Sequence, residues 1–391
     1  MAGNTTAEGS TPVTVLDSRG QKALRITFVI SSLSSGGAER IMSTMANYWA
    51  ARGEEVTLIT FASEETDFYP LHPEVKRVAL GLMTTSRHPW EALRNNLHRL
   101  KRLRQEIRAS EPEVVISFID STNMLTLLAS VGLNTPVIVS LRTDPRQYRI
   151  GWARSVLRRL LYPQASAVVV QTEEIRRWTQ RFVSQEAVFT IPNPIMLPLH
   201  DEPERVLYSG YTVAAMGSLL PEKGFDLLLR AFARCAAKYP GWSLLIIGEG
   251  RERETLETLV GELGIAERVS MPGRIREPVR VLRGVDVFVM SSRVEGFPNA
   301  LLEAMACGLP VVSFDCPSGP RNIIRQGVDG VLVKPEDVEE LAAAMQRLMA
   351  DDAERERLGS RAVEVTERFS LERVMGIWED ILGRVIEKRR A

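Results

Sequence analysis

Short apolar runs recur along the chain and alternate with longer stretches of helical periodicity. Runs such as ALRITFVIS, EVVISFI and WSLLIIG are rich in β-branched and other apolar residues and are too short for buried helices. Amphipathic patterns of helix length separate many of them, for example over residues 37–51, 89–109 and 224–238. Because parallel strands need a crossover that is usually helical, this rhythm predicts βα units and mostly parallel sheets.

The rhythm lapses once, in a segment rich in proline and charge that runs from Asn193 to Tyr211. Such a segment is typical of a linker between domains. We therefore predict an α/β protein with two Rossmann-like domains, at residues 23–198 and 199–370. A flexible tail at residues 1–22 precedes them, and a helix at 371–391 is expected to cross back onto the first domain.

Composition supports an ordinary soluble chain, with 45% hydrophobic and 25% charged residues among 391. Neither a spanning apolar segment nor the pattern of a signal peptide is present, so a cytoplasmic location is expected. The three cysteines, Cys235, Cys307 and Cys316, are too scattered for a disulfide framework or a metal cluster.

The zero net charge conceals an asymmetry between the two halves. Residues 1–200 carry 23 Lys and Arg against 18 Asp and Glu, whereas the remainder carries 26 against 31. A basic first half favours an anionic partner or surface. We do not expect nucleic acid, because no recognisable binding module accompanies the charge.

The helix predicted at residues 89–109 is basic and amphipathic. Its apolar residues could pack on the first sheet, and its cations could also dock the protein on an anionic membrane. A second basic run, RQYRIGWARSVLRRLLY, adds Trp152 and Tyr162, and we predict peripheral attachment to the cytoplasmic face of the inner membrane. The first helix contributes Arg94, Arg99, Lys101, Arg102, Arg104 and Arg108, with an apolar stripe of Trp90, Leu93, Leu97, Leu100 and Ile107.

Candidate chemistry concentrates in VDVFVMSSRVEGFPNALLEAMACGLPVV, which predicts a strand, a polar loop, a short helix and a parallel strand. Pro298 and Asn299 indicate where the helix begins, and Gly308 indicates where it ends. Glu295 in the loop and Glu303 in the helix bracket a junction of the kind at which open α/β sheets bind nucleotides. Glu303 could alternatively do no more than interact favourably with the dipole at the start of the helix. Two glutamates around one loop nevertheless favour a binding site.

Three other turns between a strand and a helix are suited to phosphate. SSLSSGGAER, MGSLLPEKGFD and CPSGPRNIIRQGVDG each place glycine or cationic groups before a helix. Each has an ordinary alternative: a tight Gly-Gly turn, a solvated lysine, and a Gly-Pro turn that caps the sheet. The candidate residues are Gly36, Gly37, Lys223, Ser318, Gly319 and Arg321.

Together these residues resemble the retaining glycosyltransferases of family 4, from about Ala23 to Leu382. The resemblance implies the GT-B fold, in which two Rossmann-like domains with parallel sheets face each other across a cleft and the C-terminal helix crosses back to the first domain. The segments that carry it are SSLSSGGAER, LLPEKGFDLLLRAF, IIGEG, SSRVEGFPNALLEAMACGLPVV, SGPRNIIRQGVDGVLV and RFSLERVMGIWEDIL.

The resemblance also implies roles for individual residues. Glu303 would bind the ribose hydroxyls, Glu295 the hydroxyls of the donor sugar, and Lys223 the diphosphate. Ile275 lies where the family holds the base through backbone contacts. The other candidates for binding the donor nucleotide are Gly217, Ser218, Arg274, Phe297, Pro298 and Asn299.

The chain departs from the family pattern at three positions. Gly217 and Ser218 stand where many relatives have Gly-Arg, which removes a second clamp on the diphosphate; Arg321 or Arg274 could compensate. Arg142 stands where a histidine is frequent and could face phosphate, although it could not act as a neutral base. Asn322 stands where glutamate is common. Arg142 and the PSGPRNII loop resemble the branch that extends lipid-linked glycans.

The resulting hypothesis is a retaining transfer of a hexose or N-acetylhexosamine from a nucleotide-diphosphate sugar, with UDP as the expected nucleotide, to a polyprenyl-diphosphate-linked saccharide or a similar glycan acceptor. The second domain would hold the donor, and the leaving diphosphate would accept the proton of the acceptor. No cofactor or metal is expected, since Lys223 supplies positive charge and no DxD pair suits a divalent ion. Two alternatives stay open: a sugar-nucleotide epimerase on the same fold, and a non-catalytic relative that binds nucleotide sugar.

Overall fold

A computed structural model describes residues 22–83, 88–147, 150–195 and 210–390. Nearly all of the predicted tail and most of the predicted linker, residues 196–209, lie outside the described residues. Along the described chain, strands alternate with helices as the apolar pattern predicts.

The first half forms a sheet of seven strands within the described residues, in the order β3-β2-β1-β4-β5-β6-β7. The strand pairs with defined register are parallel. The strands are β1 (Arg25–Ile30), β2 (Glu55–Thr60), β3 (Lys76–Ala79), β4 (Val114–Phe118), β5 (Val137–Ser140), β6 (Ala167–Val170) and β7 (Val188–Thr190). The helices are α1 (Gly37–Ala50), α2 (Pro89–Ala109), α3 (Asp120–Ser130), α4 (Trp152–Leu161) and α5 (Glu173–Thr179).

The second half forms a parallel sheet of six strands, counted over the described residues, in the order β10-β9-β8-β11-β12-β13. The strands are β8 (Tyr211–Met216), β9 (Trp242–Ile247), β10 (Val269–Gly273), β11 (Val287–Met290), β12 (Val311–Phe314) and β13 (Val331–Val333). The helices are α6 (Phe225–Ala236), α7 (Arg253–Glu262), α8 (Pro278–Leu282), α9 (Asn299–Ala306), α10 (Pro320–Ile323), α11 (Val338–Ala350), α12 (Asp352–Ala362), α13 (Val365–Arg368) and α14 (Leu371–Arg390). The two parallel-sheet domains of the predicted fold class are therefore confirmed.

Both faces of the second sheet are covered, which explains why β11 is apolar at every position. Val287 and Val289 belong to the core beneath α6 and α11. Phe288 and Met290 belong to a second core beneath α9. Successive side chains of a strand point to opposite faces, so a strand between two helical layers reads as a continuous apolar run.

Helix α3 was absent from the sequence-based prediction, because its buried face is largely polar. Asn123 donates a hydrogen bond to the carbonyl oxygen of Ser140, and Thr126 donates one to the hydroxyl of Ser117. These side chains are buried but hydrogen-bonded, which makes their burial tolerable. A helix with a polar buried face lacks the apolar periodicity from which helices are predicted.

Other differences concern helix ends. The sequence of residues 353–367 predicts one continuous helix, but the structure divides this range into α12 and α13, with a turn at Val363 and Glu364. The CPSGPRNIIRQGVDG turn predicts a helix that starts near Asn322, but helix α10 begins two residues earlier, at Pro320. Pro298 occupies the cap position of α9, and Asn299 is its first helical residue.

Helix α2 occupies the predicted range but packs through its C-terminal half. Leu103 and Ile107 are fully buried, whereas Trp90 is 77% exposed and Leu93 and Leu97 are also exposed. The predicted apolar stripe is therefore only partly used for packing within the described chain.

Contacts divide the chain into two compact units. One comprises the described residues of Met1–Ser140 and Val385–Ala391, together with Gln164–Ser166; the other comprises Leu141–Pro163 and Ala167–Arg384. The domain boundary near residue 198 stays a prediction. None of the helices in the described ranges is long and apolar enough to cross a membrane.

The close approach of the ends of β8 and β9 yields a test of the fold. A Cβ added at Gly248 would collide with the carbonyl oxygen of Gly217. We expect Gly248→Ala to lower the free energy of unfolding by about 1–3 kcal/mol, because the two backbones must separate. Gly376→Ala is the control, since a Cβ there meets open space within α14. It should leave stability unchanged or raise it by up to about 1 kcal/mol. The midpoints of urea denaturation measure the stability of both variants. A Gly248→Ala midpoint equal to that of the wild type would contradict the argument.

Candidate active site

Two loops meet at the carboxyl edge of the second sheet and bring Lys223 against Glu295. The ammonium nitrogen Nζ lies 2.7 Å from the carboxylate oxygen Oε1, with the two side chains 25% and 10% exposed. The residues are 72 positions apart, but β8 and β11, which precede the two loops, are neighbours in the sheet. The structure thus joins two residues that the sequence had predicted for the same donor site.

Ser292 fixes the carboxylate of Glu295. Its hydroxyl is buried and donates to the same Oε1 at 2.7 Å, so this oxygen accepts from both Ser292 and Lys223. Hydrogen bonds to an ionised group are stronger than those between neutral groups. The orientation of Glu295 is therefore set by two donors from different loops.

The loop that follows β12 supports the backbone of the Glu295 loop. The Ser318 hydroxyl donates to the carbonyl oxygen of Glu295 at 2.7 Å. Gly319 has a φ of +96°, and a Cβ there would lie 2.9 Å from Cδ of Pro298 and 3.0 Å from the carbonyl oxygen of Gly296. A side chain at this position would push the Glu295 loop away, so glycine is required both for conformation and for space.

Arg293 clasps the Glu295 loop to the turn that carries Lys223. Its guanidinium forms two bonds to Asp226, at 2.8 and 2.7 Å, and one to Glu336 at 2.9 Å. It also donates to the carbonyl oxygen of Pro221 at 2.6 Å, and the Arg293 amide donates to that of Glu222 at 2.8 Å. Arg293 thus makes five hydrogen bonds to four other residues.

Two further contacts complete the clasp. The Ser291 hydroxyl donates to the carbonyl oxygen of Lys223 at 3.0 Å. Gly224 has a φ of +62°, and a Cβ there would collide with the carbonyl oxygen of Ser291. Sequence reasoning missed Ser291, Ser292, Arg293 and Asp226, although the first three lie inside the motif that it singled out.

Electrostatics favour the charged forms of Lys223 and Asp226. Burial opposes the charged form of Lys223, but the neighbouring charge of Glu295 and its hydrogen bond outweigh burial and raise the pKa of the ammonium. Burial likewise opposes the charged form of Asp226, but the hydrogen bonds and charge of Arg293 outweigh it and lower the pKa of that carboxyl. At neutral pH Lys223 therefore carries a positive charge, and the carboxylate of Asp226 in the clasp is ionised.

Glu303 lies deeper than Glu295. It is the fifth residue of α9 and only 3% of it is exposed. Because the helix dipole acts mainly within the first turn, the dipole alone does not explain a carboxylate at this buried position. Its role toward ribose stays a prediction.

A polar network links Arg142 to the start of α9. Arg142 and Gln171 each donate to Oδ1 of Asn193, at 2.8 and 2.7 Å. Asn193 in turn donates to the carbonyl oxygen of Phe297 at 3.1 Å and to Oδ1 of Asn299 at 2.7 Å. Sequence reasoning assigned Asn193 to the linker, and its position between two prolines gave no indication of this role.

Arg142 is partly exposed as a residue, but its guanidinium bonds within this network. Burial lowers the pKa of its guanidinium to about 9. A cation held where burial opposes its charge is suited to an anionic ligand. The role of Arg142 in binding phosphate stays a prediction.

The remaining candidates are placed as follows. Arg321 is half exposed and pairs with Asp315 through two bonds, at 2.8 and 2.7 Å. Ser218 and Arg274 are exposed and Ile275 is partly buried, while Gly217 packs beside the stem of Lys223. Gly36 and Gly37 lie at the start of α1, in the other compact unit. Their roles toward donor or acceptor stay predictions.

No group of three or more His, Cys, Asp or Glu side chains is arranged to hold a metal ion in the part of the chain that the structure describes. The expectation that no metal or cofactor is needed remains a prediction.

Comparisons with known proteins place this geometry in a family. A model for glycosyl transferases group 1 matches residues 205–365, and one for a glycosyl transferase 4-like domain matches residues 36–194. An exopolysaccharide phosphotransferase of Streptomyces coelicolor is 28% identical over 94% of this chain, which spans only 41% of that protein.

Two further proteins are similar over nearly their whole length. GalNAc-alpha-(1->4)-GalNAc-alpha-(1->3)-diNAcBac-PP-undecaprenol alpha-1,4-N-acetyl-D-galactosaminyltransferase of Campylobacter jejuni is 28% identical, over 93% of this chain and 99% of that protein. The structure of HepE from Anabaena in complex with UDP and glucose aligns with a TM-score of 0.77 at 19% identity, over 92% of this chain and 99% of that one, and so shows the fold. Since the two family models match both halves in succession, the chain belongs to the group 1 glycosyltransferases and has their GT-B fold.

Proposed function

We propose that the protein transfers a hexose or N-acetylhexosamine from a UDP-sugar to a polyprenyl-diphosphate-linked saccharide and retains the anomeric configuration. The observation that carries the proposal is the pair of Lys223 and Glu295, joined at 2.7 Å at the carboxyl edge of the second sheet. The named activity of the Campylobacter jejuni relative on an undecaprenol-linked saccharide supports the acceptor, and the complex of HepE with UDP and glucose supports the donor.

Donor binding in this proposal exchanges the partners of the ion pair. The ammonium of Lys223 turns to the diphosphate, and Oε1 of Glu295 accepts a hydrogen bond from a hydroxyl of the donor sugar. Ser292 retains its bond to Oε1 and keeps the carboxylate in place during the exchange. The arrangement thus supplies one positive group and one acceptor to the two halves of the donor.

The reaction follows from where charge develops. The bond between the anomeric carbon and the diphosphate breaks while the acceptor hydroxyl bonds to the same carbon from the same face. The leaving diphosphate takes the hydroxyl proton, and Lys223 stabilises the negative charge that accumulates on it. A preorganised group of this kind is worth roughly 10²–10³ in rate.

Attachment to an anionic membrane through α2 belongs to the same proposal and places the enzyme on the cytoplasmic face. Trp90, Leu93 and Leu97 are exposed on this helix, which supports it. Three of its cations have other contacts: Arg99 donates to the carbonyl oxygen of Leu82, Arg104 donates to those of two residues at the end of α3, and Arg102 pairs with Glu106 on α2 itself. The exposed cations are Arg94, Lys101, Arg102 and Arg108.

The direct test incubates the full chain with a panel of UDP- and GDP-sugars, with and without membrane extract. We expect UDP release that requires the extract, together with a mass increase of a lipid-linked glycan by one sugar. Conversion of the nucleotide sugar without extract would instead identify an epimerase. No conversion of any donor would favour a non-catalytic binding protein.

Replacing Glu295 tests the site. We expect Glu295→Gln to lower kcat/KM by roughly 10²-fold, because the amide cannot accept the same charge-assisted bonds. The matched control is Glu222→Gln, which removes an exposed carboxylate beside Lys223 and should leave turnover close to that of the wild type. Circular dichroism checks that both variants fold. Unchanged turnover in the Glu295 variant would refute the assignment.

Replacing Arg293 tests the clasp. Lysine cannot form the paired bonds to Asp226, so Arg293→Lys should let the two loops drift apart. We expect kcat/KM to fall between roughly tenfold and 10²-fold, as displacement of reacting groups typically does. Arg234→Lys is the control, because its pair with Glu339 is exposed and distant in sequence from the motif. Steady-state kinetics of both variants give kcat/KM. Equal values of kcat/KM for the two variants would show that the clasp does not position the site.

A further inference from the structure

Asn193 is the centre of the polar network that links Arg142 to the start of α9, and it is only 4% exposed. Its side-chain nitrogen Nδ2 donates to the carbonyl oxygen of Phe297 and to Oδ1 of Asn299. These two acceptors fix the orientation of the amide, because only its nitrogen can donate to them. The oxygen Oδ1 therefore faces the other way, where it accepts from Arg142 and Gln171 at 2.8 and 2.7 Å.

The backbone around Asn193 is strongly constrained. Pro192 and Pro194 flank it, and a residue that precedes proline is restricted to extended conformations. The amides two residues before and after it, those of Ile191 and Ile195, each donate at 2.8 Å to a backbone carbonyl oxygen, at the end of β6 and just before α14. A side chain on such a segment loses little conformational freedom when it holds another group in place.

Stability alone does not explain this network. The Gln171 side chain is buried, and its oxygen Oε1 has no hydrogen-bond partner among the described residues. An unsatisfied buried acceptor lowers stability, whereas apolar side chains of the same shape would avoid the loss. A polar network that is retained despite this loss indicates a role in positioning.

The backbone of Arg142 lies against the Glu295 loop. A Cβ added at Gly296 would lie 2.8 Å from the carbonyl oxygen of Arg142 and 3.0 Å from Oε1 of Gln171. Gly296 directly follows Glu295, whose carboxylate bonds to Lys223. The network therefore reaches to within one residue of the ion pair.

Asn193 holds Arg142 through a neutral group. Burial opposes charge on this guanidinium and lowers its pKa to about 9. An aspartate in place of Asn193 would favour the charged guanidinium through an ion pair, but its negative charge would also cancel the positive field that an anionic ligand meets. The asparagine orients the guanidinium and adds no negative charge beside it.

We infer that Asn193 is a positioning residue: it sets the guanidinium of Arg142 at the Glu295 loop, where the guanidinium binds a diphosphate group of a substrate. Both substrates of the proposed reaction carry a diphosphate, so the inference rests on the proposed function. Guanidinium groups bind phosphate oxygens through paired hydrogen bonds, which depend on orientation. Asn193 acts only through Arg142 and does not itself touch the substrate.

A double-mutant cycle on the full chain tests this inference by equilibrium binding, measured by titration calorimetry. The probes are UDP for the donor and farnesyl diphosphate for the acceptor. We expect Arg142→Gln to raise the Kd of at least one probe by roughly tenfold or more, because a charge-assisted hydrogen bond is lost. Asn193→Asp should raise the Kd of the same probe by a similar factor, because the new carboxylate pairs with the guanidinium. The affected probe identifies which diphosphate Arg142 binds.

The double variant separates positioning from damage to the fold. With Arg142 already replaced, Asn193→Asp should change the Kd by less than about twofold, because its effect passes through the guanidinium. Independent damage would instead multiply the two effects, to roughly 10²-fold, and would overturn the inference. An unchanged Kd in either single variant, or no binding of either probe to the wild type, would overturn it as well.

Asn47→Asp is the matched control in the other compact unit. The Asn47 side chain also both donates and accepts, to the carbonyl oxygen of Pro70 and from the amide of His72. This substitution should leave both Kd values unchanged, and circular dichroism checks that every variant folds.

A second variant keeps the test decisive if Asn193→Asp does not fold. Asn193→Ser then takes its place in the cycle, since it withdraws the bond to the guanidinium without adding charge. Its smaller increase in Kd should likewise vanish in the Arg142→Gln background. Because binding needs no turnover, a wild-type protein that shows this coupling but transfers no sugar would contradict the proposed function and not the role of Asn193.

Discussion

The half-buried ion pair of Lys223 and Glu295 depends on two loops from distant parts of the chain being held within hydrogen-bonding distance. Parallel strands make this meeting automatic, because their carboxyl ends lie at one edge and β8 adjoins β11. Sheet order brings the loops near each other, and the Arg293 clasp then sets their separation. The order of the strands therefore locates the site, and Arg293 fixes the distance between its two loops.

An ion pair of this kind is a weak source of stability, because removing both charges from water offsets much of their attraction. Its surroundings instead favour a positioning role: Ser292 orients the carboxylate, and Ser318 and Gly319 support the backbone behind it. Each of these groups restricts motion without adding apolar burial. That pattern is what a site for a charged, hydroxylated ligand needs, because both a cation and an acceptor must be ready before the ligand arrives.

Helices α2 and α4 each leave part of their apolar surface exposed within the described chain. Helix α2 buries Leu103 and Ile107 but exposes the apolar residues of its first half. Helix α4 is anchored by Arg158 and exposes nearly its whole apolar stripe. Exposed apolar faces of this kind mark candidate interaction surfaces.

The sequence by itself determined the alternation of strands and helices, the parallel sheets, and the motif that contains Glu295 and Glu303, because these features follow from local periodicity and from glycine and proline at defined positions. It did not determine α3, whose buried Asn123 and Thr126 depend on partners in other elements. It also did not reveal that Lys223 bonds to Glu295, that Arg293 joins their loops, or that α4 presents its apolar face to solvent. Those facts depend on which strands are neighbours and which side of a helix is anchored, and a linear pattern contains neither; only the tertiary structure decided them.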